Sequence, residues 1–188
     1  MTTRSDELLC ENKFVSLRVI RDTAAGVDGY VYAHEARCAG RMVAVLPYKA
    51  TQFGYRYLVR SEITPCWSII PTLSAITGGC EGRDVRAEAV RELLEETSFA
   101  IKPDELIPLG DSFASKSSDT VFNLFSVNLA GRTAGPPSGD GTPLEARGRA
   151  VWVDKNDLTK IPDPLVALLY LRLREQLVDQ FFSAGEAL

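Results

Sequence analysis

The chain of 188 residues is 45% hydrophobic and 24% charged, enough material for one globular domain over residues 1–188 with a sizeable core. Its net charge of −4 argues against a surface built for nucleic acid. Four scattered cysteines (Cys10, Cys38, Cys66, Cys80) without a CxxC pair and a single histidine, His34, argue against a zinc cluster and leave only His34 for a nucleophile–histidine pair.

The N-terminal "MTTRSDELLCENKF" is polar and charged, unlike a secretion signal, and no apolar run approaches the length needed to span a bilayer. A cytoplasmic protein with reduced thiols and no membrane partner is expected. From Phe14 to about Trp67 the chain reads as strands broken by turns. "FVSLRVIRD" alternates apolar and polar residues, and "YVYAHEA", "MVAVLPY" and "YRYLVRSEI" are rich in β-branched and aromatic residues. Asp84 to about Thr97 reads as a helix with Asp84 as its N-cap. The runs "LIPLGDSF", "TVFNLFSVNL" and "RAVWVD" follow as strands, the last two separated by the loop-like "AGRTAGPPSGDGTP". "PLVALLYLRLREQLVDQFF" closes the chain as an apolar helix that packs on the sheet. This order points to an α/β sandwich around a mixed sheet.

The helix within "GGCEGRDVRAEAVRELLEETSF" concentrates like charge. At 100° per residue, Glu88, Glu92, Glu95 and Glu96 share about 100° of arc beside an apolar stripe of Ala89, Val90, Leu93 and Leu94. A solvated face gains from opposite charges four residues apart, whereas Glu88, Glu92 and Glu96 make two like-charge pairs costing roughly 0.2–0.5 kcal/mol each. The preceding Gly78 and Gly79 read as a turn that lets backbone approach a bound group. The pattern suits a hard divalent cation, Mg²⁺ or Mn²⁺ in its place, held by Glu88, Glu92, Glu95 and Glu96.

Arg91, Glu92, Leu93, Glu95, Glu96 and Phe99 resemble the end of the Nudix box, G-x5-E-x7-R-E-U-x-E-E-x-G-U with U aliphatic or aromatic. The resemblance implies a Nudix-type α/β/α sandwich, with residues 78–99 as box loop and helix. The N-terminal strands, about residues 1–45, resemble the lead-in of ADP-ribose and ADP-sugar pyrophosphatases, where such strands help build a homodimer. The sequence departs from the box in four ways. Arg83 stands where the family has Glu, and Ser98 replaces the box Gly. Glu88 occupies a position that is commonly Ala, and the Gly-Gly pair lies closer to the helix. Glu81 or Glu88 is the candidate to take over from the missing Glu. Where those pyrophosphatases carry E-x-P-G, this chain reads "SIIPTLSAITGG".

By that resemblance, the expected activity is metal-dependent cleavage of the diphosphate linkage in a nucleoside diphosphate derivative such as ADP-ribose or an ADP-sugar. The alternatives are hydrolysis of nucleoside triphosphates or dinucleoside polyphosphates, and nucleotide binding with little turnover. Glu92, Glu95 and Glu96 are the expected catalytic metal ligands, with Arg91 fixing their geometry. Glu145 is the candidate catalytic base, ahead of Asp140 and Asp119. Arg56, Arg60 and Lys116 are candidate phosphate contacts.

Overall fold

The computed structural model describes residues 4–82, 84–136 and 147–185, with side chains to residue 178. Three strands, β1 (Arg4–Glu11), β2 (Ser16–Asp22) and β3 (Val27–His34), form an antiparallel N-terminal sheet. A larger mixed sheet is built from β4 (Arg41–Thr51), β5 (Gly54–Glu62), β6 (Thr72–Ser74), β7 (Ile76–Gly79), β8 (Ile107–Phe113), β9 (Val121–Asn128) and β10 (Arg149–Asp154). The helices are α1 (Val85–Thr97), the one-turn α2 (Lys155–Leu158) and α3 (Pro164–Gly185).

The main sheet runs β10-β5-β4-β9-β8, with β4 and β9 parallel. One edge of β4 changes partner along its length, Met42–Val45 pairing with β7 and Tyr48–Thr51 with β5. The sheet therefore forks there, and β6 rejoins β5 at Arg60–Glu62.

Strand alternation divides the core into two layers. Val43 and Val45 of β4, Leu58 of β5 and Phe125 and Val127 of β9 pack with Ala89 and Leu93 of α1. The intervening Ala44, Leu46, Tyr48, Tyr57, Val59 and Leu124 pack with Val166, Leu169 and Leu173 of α3. Each helix thus covers one face of the sheet, giving the α/β/α sandwich expected from the order of elements. Full burial of Leu93 or Leu169 stabilises by roughly 1.5–3 kcal/mol each. Leu94 departs from the expected stripe: it is 40% exposed, because the Ala89–Leu93 axis faces the sheet squarely.

Asp163 ties α3 to the fork. Its buried carboxylate accepts from the backbone N–H of Leu165 in the first turn of α3 and from that of Ala75, the residue between β6 and β7. This fixes the entry of β7, and with it the backbone that α1 leans on.

Candidate active site

Helix α1 begins as its sequence dictates, with the Asp84 carboxylate accepting from the N–H of Arg86. It ends on Ser98, which adopts left-handed φ/ψ of 61° and 17° and donates its N–H to Leu94. This is where the Nudix box carries glycine, whose lack of a Cβ makes that conformation unstrained.

The glutamates line the strand-and-loop segment entering the helix. Gly78 and Gly79 lie within β7, paired with Val43 and Met42, and are not the turn expected from the sequence. The group that approaches Gly78 is the side chain of Glu92, so close that a Cβ on residue 78 would overlap its carboxylate. One turn earlier, Glu88 Oε1 accepts from the N–H of Gly82 at 3.0 Å. Its other oxygen accepts from Arg91 Nε at 2.9 Å. Glu88 thereby holds the loop, a task for which the sequence offered Glu81 or Glu88. Glu81 stands 3.8 Å from Arg37 instead.

Arg91 spans more than its expected neighbour Glu95. It contacts Glu95 Oε2 at 2.7 Å, Glu92 Oε1 at 2.6 Å and Glu88 Oε2. Burial works against its charge, but the hydrogen bond it donates to Glu88 and the charges of Glu92 and Glu95 outweigh that and hold its pKa above the ordinary arginine value. Glu92 shows the reverse. Burial first, and then repulsion from Glu95 and Glu96, push its carboxyl up to about 7 despite the attraction of Arg91.

Glu96 belongs to a second group. Its side chain pairs with Arg60 Nε, and its backbone carbonyl accepts from Arg60 Nη1 at 2.7 Å. Arg60 also stands 3.9 Å from Glu62, whose carboxylate accepts from Ser74. Five carboxylates and two guanidiniums along α1 and the neighbouring β5 leave a formal charge of −3.

The donors suit a hard divalent cation in charge and in oxygen chemistry. Arg91 engages Glu92 through Oε1 and Glu95 through Oε2, on the opposite oxygens of the two carboxylates from Oε2 and Oε1 respectively. No three acidic, histidine or cysteine side chains among those residues converge as metal ligands, since the Arg91 guanidinium stands between the carboxylates.

Other candidates lie apart or outside the described residues. Asp119 pairs with His34 Nδ1 at 2.8 Å and joins the N-terminal sheet to the main one. Arg56 donates to the Trp152 carbonyl, and the carbonyl of Lys116 accepts from Tyr30. Glu145, Asp140 and Arg83 lie outside the described residues. Cys80 follows Gly79, but burial pushes its thiol up to about 11, which makes it a poor nucleophile.

Arg60 and Glu62 are the residues sequence reading did not assign to this carboxylate group. Their one legible signal was a pair of charges spaced by two on a strand that otherwise reads as core.

No family model matches the sequence, and no curated protein matches it. Among solved structures, the chain is similar to the crystal structure of an ADP compounds hydrolase, with 18% identity over 95% of each chain and a TM-score of 0.67. It is also similar to the NUDIX domain of Shewanella oneidensis NrtR in a cocrystal structure with ADP ribose. That match has 14% identity over 73% of this chain and 87% of that one, with a TM-score of 0.55. At these identities the likeness is one of fold: the chain has the Nudix fold.

Proposed function

We propose that the protein is a divalent-metal-dependent hydrolase that cleaves the diphosphate linkage of a nucleoside diphosphate derivative, ADP-ribose or an ADP-sugar. The observation that carries this reading is the placement of Glu92. It is part-buried against Gly78 and flanked by Glu95, and its charged form is destabilised until a cation joins it. The two structural neighbours, one an ADP compounds hydrolase and the other complexed with ADP ribose, support the substrate class.

Glu92 and Glu95 each have an oxygen to offer a cation. Bound there, Mg²⁺ or Mn²⁺ supplies charge neutralisation of the diphosphate oxygens and a lowered pKa for attacking water. Arg91 fixes the two carboxylates, and Glu88 fixes the Gly82 loop against the helix. Glu145 keeps its assignment as base on the resemblance alone. The N-terminal sheet is assigned to homodimer formation.

The test is a turnover screen of the purified protein with Mg²⁺ and with Mn²⁺. The substrates are ADP-ribose, ADP-glucose, NADH, diadenosine polyphosphates and nucleoside triphosphates. Formation of AMP and a sugar phosphate, lost in Glu92→Gln and in Glu95→Gln, is the expected result. Release of pyrophosphate from triphosphates would move the activity to the alternative substrate class. Binding of ADP-ribose without turnover is the second reading, and the arginine held on Glu96 is the observation that favours it.

A further inference from the structure

The face of the sheet covered by α3 carries a cavity of its own, with a volume of ≈ 810 Å³. It opens between the tip of the β4–β5 hairpin, the start of α2 and the side of α3. Cavities that hold small organic ligands are of this size, roughly 300–1,000 Å³. Tyr57 and Tyr170 belong to the core layer under α3, so the sheet stands between this cavity and the carboxylates of α1. The walls are aromatic. Tyr57 meets Tyr170 edge to face with ring centres 5.4 Å apart, and Tyr55 and Phe53 extend the wall to the hairpin tip. Tyr55 is 45% exposed and Phe53 91%, so neither ring is spent on the core. The tip that presents Phe53 is tied: the Thr51 hydroxyl donates to the Gly54 carbonyl and accepts from the Phe53 N–H. Burial, with the neighbouring tyrosines adding to it, pushes the Tyr57 phenol up to about 12, so it stays neutral.

The charge around these rings runs against that of the chain. The chain carries −4, whereas the three cations Arg56, Lys155 and Arg174 and the one carboxylate, Asp154, give the cavity lining a formal +2. Asp154 is committed to its helix, since it accepts from the N–H groups of Asn156 and Asp157. Arg56 donates to the Trp152 carbonyl, and its buried Nε meets no acceptor among the described residues. We infer that this cavity is a second ligand site, which takes a small planar aromatic molecule bearing an anionic group. The ring of such a molecule covers Phe53 and Tyr55 and removes their apolar surface from water. Its anionic group gains charge-assisted hydrogen bonds from Arg174 and Lys155. A neutral ring would leave the cations unanswered, and a bare anion would leave the aromatic wall wet. The inference is independent of the metal-dependent reading, because none of the lining residues lies on α1.

The experiment is a fluorescence titration of the full chain with anilinonaphthalene sulfonate, beside phenylnaphthylamine, which has the same rings without the sulfonate. Wild type should bind one sulfonate probe per chain and hold the neutral probe at least about tenfold more weakly. Arg174→Glu should weaken the sulfonate probe at least about tenfold, and Arg174→Lys should keep it within about threefold of wild type. Phe53→Ser should weaken both probes by about threefold or more. Both side chains lie outside the two core layers, so the variants should keep the circular dichroism of wild type. Lys13→Glu, between β1 and β2, makes a like charge change away from the cavity and should leave binding unchanged. Competition then tells the sources of the ligand apart: displacement by AMP assigns a nucleotide, and displacement by salicylate an aromatic acid. Unaltered sulfonate binding in Arg174→Glu, equal affinity for the two probes, or displacement by neither competitor overturns the inference and leaves an adventitious additive only. None of these outcomes bears on the metal-dependent reading.

Discussion

Glu92 sits in surroundings far from those of a free side chain. Its carboxyl rises from 4.5 to about 7 on folding, chiefly through burial. The folded, metal-free protein therefore keeps a proton on Glu92 that the unfolded chain releases. Stability from this group is fully present below the unfolded pKa and is lost as pH rises through the folded one. Between pH 4.5 and 7 the loss amounts to about 3 kcal/mol at 1.36 kcal/mol per unit. Urea unfolding in the presence of EDTA should show stability declining across that window, and Glu92→Gln should flatten the decline. Curves that stay parallel for wild type and variant would mean the carboxyl is ionised throughout. The same proton competes with the cation, so Mn²⁺ affinity should climb over the same window.

At the scale of the helix, the departures from the Nudix box acquire physical meanings one by one. Ser98 accepts the left-handed conformation demanded of the box glycine, which costs an L-residue about 1–2 kcal/mol, partly offset because serine loses less chain entropy than glycine. Ser98→Gly should therefore raise stability by about 0.5–1 kcal/mol, read as an upward shift in Tm with metal binding unchanged. A fall in Tm would show that the seryl side chain contributes more at the helix end than its backbone loses. Glu88, placed where alanine is common, is explained by the N–H of Gly82. The helix was legible in the sequence because its signals are local: a capping aspartate, an apolar stripe at helical spacing and a run of like charge. β1, β6 and β7 were not. β1 is largely exposed and is held by cross-strand pairs of Asp6 with Arg18 and of Glu7 with Arg21, which no alternation of apolar residues announces. β6 and β7 have three and four residues, too few to show a period. The Arg60–Glu96 pair joins residues 36 apart in the chain, so only the forked sheet brings them together.

At the scale of the whole molecule, the N-terminal sheet meets the segment between β8 and β9. Ala33 pairs with Ser118, the Tyr30 hydroxyl reaches the Lys116 carbonyl, and His34 meets Asp119. The sandwich and its parity of burial followed from the order and alternation of the strands, but no local pattern says where a second sheet rests or what covers it. Register places Val31 opposite Val19 and Leu17 opposite Ala33, so the four share one face of the N-terminal sheet. On it Val31 is 45% exposed and Leu17 38%, although Val19 is buried. β-Branched and aliphatic residues left half-open on a sheet gain by meeting another surface, and under the homodimer proposal that surface is a second copy of the same sheet. Light scattering should accordingly return twice the 20.6 kDa chain mass, and Val31→Glu should return the single chain. A charge on each copy at a shared two-fold interface is placed against its own kind and cannot be relieved by repacking. Circular dichroism of Val31→Glu should remain that of wild type, since Val31 lies outside both core layers. A monomeric wild type, or a dimer indifferent to Val31→Glu, would remove the N-terminal sheet from the interface and leave its exposed face to another partner.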